Sequence, residues 1–417
     1  MERYWLNSNK LAIFVEDSVA LWTEHWDGRL SLQAQIRDSC YENVLSDKMA
    51  PRLSYTVFTL RSGGDVTTLK DFHLAVHRSL YSGGVSLPDE VVIRHPIWTT
   101  WARYKQDISE DKVLQFAEEI LEHKAAISQL ELDDRWERSY GDFEFDSTRF
   151  PNVERMCDVL RSKGIRLSLW IHPFINLDSN NAKDRNIWGY MVQTGYNKEP
   201  ARVDWWNKAA YVVDFTNPAA VYWFRERLDA LKKLGVYSFK FDAGEVTYLP
   251  KRFRLWRNGA NINDYQRCYA EMAAEFGNAV EVRVCSRTQS LPILVRTLDR
   301  LSTWDNAGLG SVLPIALNYS LHGYYFNLPD ILNQLMVCMQ MSKAPWDPMW
   351  WLSDSDEALM SSDQFVINDR VIVAPALEKG MTSREVYLPA GKWRHVSGNL
   401  GGSSGNGVYV GPVRIRI

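Results

Sequence analysis

Val236-Tyr-Ser-Phe-Lys-Phe-Asp-Ala-Gly-Glu245 is the stretch that decides the fold. Five of its first six residues are β-branched, aromatic or small, Lys240 being the exception, and they predict a buried strand. Two acids, Asp242 and Glu245, follow where that strand ends, and Gly244 lets the chain turn. An Asp at this place is equally the cap of a following helix. Its surroundings favour chemistry, because a (β/α)₈ barrel keeps its reactive groups at the C-terminal ends of its strands.

The flanking sequence alternates strands with amphipathic helices from His95 onward. Strand candidates begin near Ile97, Leu130, Leu167, Ser238, Val280, Leu301, Tyr324 and Val337. Ser109 precedes an acidic first turn, and Asn217-Pro218 pairs a cap with proline at the first helical position, so both open helices. The alternation predicts a TIM barrel over 93–347. Residues 1–92 read as an antiparallel β-domain, with strands at Lys10–Val15 and Leu53–Leu60. Residues 348–417 return to β texture and form a C-terminal β-domain, with strands at Arg370–Pro375 and Arg384–Trp393.

The barrel is short of material near its end. Only Ile331–Met336 separate the seventh and eighth candidates. A parallel crossover needs a dozen residues or more. No eighth helix follows before the C-terminal domain.

Composition bounds the partners. The 417 residues carry 48 basic and 51 acidic side chains without a basic run, which argues against nucleic acid. No segment reaches the roughly 18 to 20 apolar residues of a membrane span. Met1-Glu-Arg-Tyr-Trp5 carries no signal pattern. Cys40, Cys157, Cys268, Cys285 and Cys338 lack metal-ligand or disulfide spacing, so no metal is expected. There is no nucleotide loop, and no cofactor is expected. The 17 tryptophans suit sugar stacking and core filling alike.

A second acid stands in Asp299-Arg-Leu-Ser-Thr-Trp304, at the edge of the sixth strand candidate. Two carboxylates on one barrel face are what glycoside hydrolysis needs. The ordered set of motifs resembles glycoside hydrolase family 31 over nearly the whole chain. It comprises Pro96-Ile-Trp-Thr-Thr-Trp101, Leu130-Glu-Leu-Asp-Asp134, the run Tyr140–Pro151, Val213-Asp-Phe-Thr-Asn-Pro218, Gly235–Asp242, Asp299–Trp304, Asp363-Gln-Phe365, Val373-Ala-Pro375 and Tyr387–Trp393. Ala102-Arg-Tyr-Lys105, Trp170-Ile-His-Pro-Phe-Ile-Asn176 and Lys240-Phe-Asp-Ala-Gly-Glu245 are similar to the family's myogenesis-regulating glycosidase branch. Two departures stand out: the family's glycine-rich loop and helices after Pro329-Asp-Ile331 are missing, as is a helix between Trp346 and Met349. An incomplete gene model or a splice product with exons absent accounts for them, as does a degenerate form that has lost catalysis.

The resemblance implies a retaining α-glycosidase, an α-galactosidase first and an α-glucosidase or α-xylosidase second. The alternative class is an inactive glycan-binding relative. It implies Asp242 as nucleophile and Asp299 as acid/base with a raised pKa. Lys240, on the same strand face as Asp242, holds the nucleophile ionised and meets a sugar hydroxyl. Asp133 or Asp134 binds hydroxyls, Trp170 and Trp304 flank the site, and one of Arg283 and Arg287 grips the sugar. Trp205 is the stacking platform and Trp206 core, while His172 is a hydroxyl partner or a structural histidine. Asp330 braces the site. The implied partner is an α-linked oligosaccharide or glycoconjugate, with room for a homodimer. The implied setting is the secretory pathway, with a membrane anchor in the full-length branch.

Overall fold

The computed structural model describes residues 2–36, 41, 51–61, 64–81, 83–84, 86–194, 199–250, 253–257, 262–328, 346–367, 369–395 and 408–416. Seven parallel strands form its centre: β1 (Ile97–Thr99), β2 (Gln129–Leu132), β3 (Leu167–Ile171), β4 (Ser238–Phe241), β5 (Glu281–Val282), β6 (Leu294–Arg296) and β7 (Asn327–Leu328). They lie in chain order in one curled sheet, with β1 and β7 at its edges. Helices Glu110–Glu122, Val153–Ser162, Pro218–Lys233, Ile262–Ala274 and Leu309–Leu321 fill every crossover except that from β5 to β6. Ser109 and Asn217 cap the helices expected of them.

Alternation along the strands sorts the chemistry. Leu130, Leu132, Leu167, Leu169, Phe239, Phe241, Val282 and Val295 pack into the main core, to which the surrounding helices also contribute. The residues between them, Glu131, Ser168, Trp170, Lys240 and Glu281, occupy the opposite face. The interior of the sheet is therefore polar and buried, and its exterior is apolar.

Two expectations need correcting. The sixth strand is Leu294–Arg296, not a segment starting at Leu301, which is 63% exposed in a run of turns. Leu294 and Val295 pair with Glu281 and Val282, whereas Asp305 ties Thr303 and Ala307 into a tight loop. This moves Asp299 from before a strand to just after one, onto the same edge as Asp242. The first ninety residues are also not wholly β. Strands Leu11–Val15 and Tyr55–Thr59 form as expected, but Leu69–Leu80 is a helix capped by Thr68. Leu69, Phe72 and Val76 recur at helical spacing and pack on Tyr4, Ala12 and Phe14.

After the barrel, Trp346–Pro348, Phe365–Ile367 and Val371–Val373 pair as an antiparallel sheet. A boundary at 347 would cut its first strand. Glu385–Arg394 and Val408–Arg416 make a hairpin with an irregularity between Leu388 and Gly391. The eighth strand expected near Val337 lies outside the described residues. Among the described residues, no helix is long and apolar enough to cross a membrane.

Candidate active site

The C-terminal ends of the strands converge on one cleft of about 330 Å³. Asp242 follows β4 directly, and its N–H donates to the carbonyl of Ile171 at 2.7 Å. Ala243 then takes φ +58° and Gly244 φ +91°, a reversal that aims the carboxylate into the cleft. A Cβ on Gly244 would come within 2.5 Å of the Tyr269 ring. Tyr269 in turn donates its hydroxyl to the Asp242 carbonyl at 3.0 Å. Gly244→Ala should therefore destabilise the fold by about 2–4 kcal/mol through clash and left-handed strain. Chemical denaturation measures this, and an unchanged midpoint would contradict it.

Three groups hold the Asp242 carboxylate. Arg296 bonds one oxygen, Arg283 approaches the same oxygen at 3.2 Å, and the Trp170 indole donates to the other at 3.0 Å. Burial opposes ionisation, but Arg296, Arg283, Lys240 and the Trp170 bond outweigh it and hold the acid well below the usual carboxylate range. Asp242 is thus an anion at neutral pH, buried and aimed into a cleft.

Asp299 faces it across the two guanidinium groups. Arg296 lies 3.1 Å from one Asp299 oxygen and Arg283 3.6 Å from the other. One Arg283 nitrogen is 3.2 Å from Asp242 and 3.6 Å from Asp299, so those two oxygens lie within 6.8 Å, the sum, of each other. Retaining glycosidases space their carboxyls by roughly 5 to 5.5 Å and inverting ones by roughly 6.5 to 9.5 Å. That bound on one oxygen pair is compatible with the first range. The same two guanidinium groups therefore contact both Asp242 and Asp299.

Lys240 has a different first task from the one expected. Its ammonium lies 2.8 Å from Glu131 and 2.9 Å from Asp133, and it acts on Asp242 only behind the two arginines. Burial pushes the Asp133 carboxyl up to about 6 and that of Glu131 up to about 7, while Lys240 pulls both down. Removing the ammonium would leave both acids without their buried cation. In Lys240→Met the loss should reach about 3–5 kcal/mol at pH 8. It should shrink toward pH 5, where folded acids with raised pKa values hold their protons. Melting curves at both pH values check the sign; a loss greater at pH 5 would contradict it.

The other expected residues divide. Asp133, Asp134 and Trp170 line the cleft. Asp134 accepts from Tyr140 at 2.5 Å and Gln106 at 2.8 Å. Arg283 lines it too and pairs with Glu245 at 2.6 Å. Arg287 does not: its guanidinium sits over Phe14 and Tyr81, and its N–H donates to Glu2, clamping the N-terminal domain to the barrel. His172 is structural. It is buried beneath the cleft, takes an N–H from Phe174 on Nδ1, and faces Glu137 with Nε2 at 3.2 Å. The two adjacent tryptophans exchange their expected roles. Trp205 is buried, stacked on Phe174 and bonded to Asn176, whereas half-exposed Trp206 lines the cleft under Arg283. Trp304 lies in the exposed loop and does not line the cleft. Asp330 lies outside the described residues.

Sequence reading missed Arg296, Trp101, Gln106 and Tyr248, all of them in the cleft wall. Arg296 had a signal: it ends a short β-branched run, as Asp242 does. Among the described residues, no group of three or more His, Cys, Asp or Glu side chains is arranged to hold a metal ion.

Two family models match the chain. Residues 96–332 match the glycosyl hydrolases family 31 TIM-barrel domain, and residues 343–412 match the glycosyl hydrolase family 31 C-terminal domain. The chain belongs to glycosyl hydrolase family 31. Members of this family hydrolyse O-glycosyl bonds. The myogenesis-regulating glycosidase of Mus musculus is 35% identical over 474 aligned positions, covering 96% of this chain and 65% of the relative. The chain thus spans slightly less than two thirds of that protein. Because 474 exceeds the 417 residues here, at least 57 aligned positions (474 less 417) have no counterpart in this chain. An alpha-xylosidase of Lactiplantibacillus pentosus is 30% identical over 205 positions, covering 47% of this chain and 26% of that protein. A family 31 dextranase of Flavobacterium johnsoniae, solved with glucose, superposes with a TM-score of 0.78 at 14% identity, covering 100% of this chain and 59% of its own.

Proposed function

We propose that this family 31 chain is a retaining α-glycosidase for terminal α-galactosides. The observation that carries the reading is the pair Asp242 and Asp299, bridged by the same two arginines at the strand ends. In the first step an Asp242 oxygen bonds the anomeric carbon while the bond to the leaving oxygen breaks, and Asp299 gives that oxygen its proton. Asp299 then takes a proton from water, whose oxygen attacks the same carbon and releases Asp242. Two inversions leave the anomeric configuration as it began. Asp133, Asp134 and Lys240 face the sugar hydroxyls, and Trp206 and Trp101 offer aromatic faces at the rim.

The sugar is assigned by likeness to the myogenesis-regulating glycosidase branch, whereas the likeness to an alpha-xylosidase supports a second substrate. Nitrophenyl α-galactoside, α-glucoside and α-xyloside, assayed beside Asp242→Asn, separate them. We expect kcat/KM for the galactoside to exceed the others by at least about tenfold, since a site built to bond given hydroxyls rejects a sugar that misplaces one, as the glucoside does, or lacks one, as the xyloside does. A larger value for the xyloside overturns the choice of sugar. Turnover no greater than that of Asp242→Asn on all three overturns the enzyme.

A further inference from the structure

We propose that Glu131 is a positioning residue, setting the charge that Asp133 presents to the sugar through the Lys240 ammonium they share. The inference rests on the reading above in one respect, that Asp133 meets a sugar hydroxyl.

Glu131 and Asp133 are two residues apart on and just beyond β2, so both point inward, Asp133 into the cleft and Glu131 one layer below. Lys240 reaches across from β4 and forks between them, at 2.8 Å from Glu131 and 2.9 Å from Asp133. The Thr99 hydroxyl donates to the same Glu131 oxygen at 2.7 Å, which fixes that carboxyl against the ammonium. The Asp133 carboxyl takes a further bond from the Asp134 N–H at 2.8 Å.

Charge is out of balance in this layer. Glu131, Asp133 and, from β5, Glu281 are all buried, and the ammonium that bridges the first two is that of Lys240. The other charged groups of the cleft wall, Asp134, Asp242, Asp299, Arg283 and Arg296, lie above it. Three carboxyls cannot all ionise cheaply around one ammonium in a buried site. Whichever of Glu131 and Asp133 holds the ammonium more tightly decides the charge of the other. Glu131 competes for Lys240 and, whenever it is ionised, is a like charge next to Asp133, and both effects keep a proton on Asp133 to higher pH. The nucleophile and the acid/base use neither group, so this is a separate titration in the same cleft.

Glu131→Gln keeps the shape and removes the competitor. In protein labelled with ¹³C at the aspartate carboxyls, with Asp133→Asn to assign the signal, the Asp133 midpoint should fall by about one pH unit in Glu131→Gln. It should stay near the wild-type value in Glu131→Asp, which keeps the charge. In kcat/KM for the aryl galactoside, the acidic limb should move the same way in Glu131→Gln, while kcat at pH 7 changes by less than about threefold. A purely structural role would lower activity without moving either midpoint. An unmoved Asp133 midpoint in Glu131→Gln overturns the inference. A shifted Asp133 midpoint in a protein that turns over no glycoside supports this inference and overturns the assigned function.

Discussion

Asp242→Asn lowers turnover of an aryl α-galactoside by on the order of 10⁴-fold or more, because an amide oxygen is no nucleophile toward the anomeric carbon. The substitution keeps the volume of the side chain at a site where Arg296, Arg283 and Trp170 all converge. Arg296 retains Asp299 and Arg283 retains Glu245, so neither cation is stranded. The loss should therefore fall on kcat, with the fold intact by circular dichroism. A thermodynamic consequence accompanies it. The folded pKa of Asp242 is depressed, so its carboxylate contributes stability above the unfolded value of about 3.9 and loses it as pH falls through the folded value. The gap in melting temperature between wild type and Asp242→Asn should be constant from pH 5 to 8 and narrow only below about pH 4. A gap that opens between pH 5 and 8 would mean that another group is titrating. Turnover within tenfold of wild type would remove Asp242 from the reaction.

Asp299→Ala should cost about 10²- to 10⁴-fold in kcat/KM for a galactoside with an alkyl or sugar leaving group. The same variant should lose far less with a dinitrophenyl leaving group, which departs without a proton. Azide should accelerate it, because a small anion needs no general base, and the product should be an α-galactosyl azide. The melting temperature should change little, since the Asp299 side chain is 66% exposed and its ion pairs are screened. Equal losses for both leaving groups, without azide rescue, would contradict the acid/base role. The position of Asp299 makes this a demanding test. Both arginines that hold it also hold Asp242, so a substrate taking a proton from Asp299 would have to displace one set of contacts.

The strand that leads to Asp242 was legible because its two faces are so different. Phe239 and Phe241 point to the apolar exterior, and Lys240 and Asp242 to the polar interior, so period-two alternation placed both functional groups on one side. Caps at Ser109 and Asn217 were equally plain, since the side chain that bonds the first turn is local to the sequence. The sixth strand was not. Leu294–Arg296 is three residues long, too short for a pattern, and the Leu301 region offered an apolar residue followed by a Thr. That displacement hid Arg296, which is legible as a site residue only from a strand end at 296. Trp205 and Trp206 were inverted because they sit in a loop, where no period tells inside from outside. Arg287 and His172, each left open between two readings, could not be resolved for a third reason. Their partners, Glu2 and Glu137, are brought to them by tertiary contacts that no local pattern announces. Helix Leu69–Leu80 was overlooked because the strands before it set the expectation for the whole domain, although its own apolar spacing is helical.

The account stands on a covalent glycosyl-enzyme at Asp242. The most direct test is to incubate the chain with 5-fluoro-α-galactosyl fluoride, whose fluorines slow both steps while the leaving fluoride speeds the first. Intact mass and peptide sequencing by mass spectrometry then locate any adduct. The account predicts one equivalent of fluorogalactosyl label, carried by Asp242, and none in Asp242→Asn. Turnover of the galactoside with no adduct, with the label on another acid, or with the β-anomer released first would contradict it.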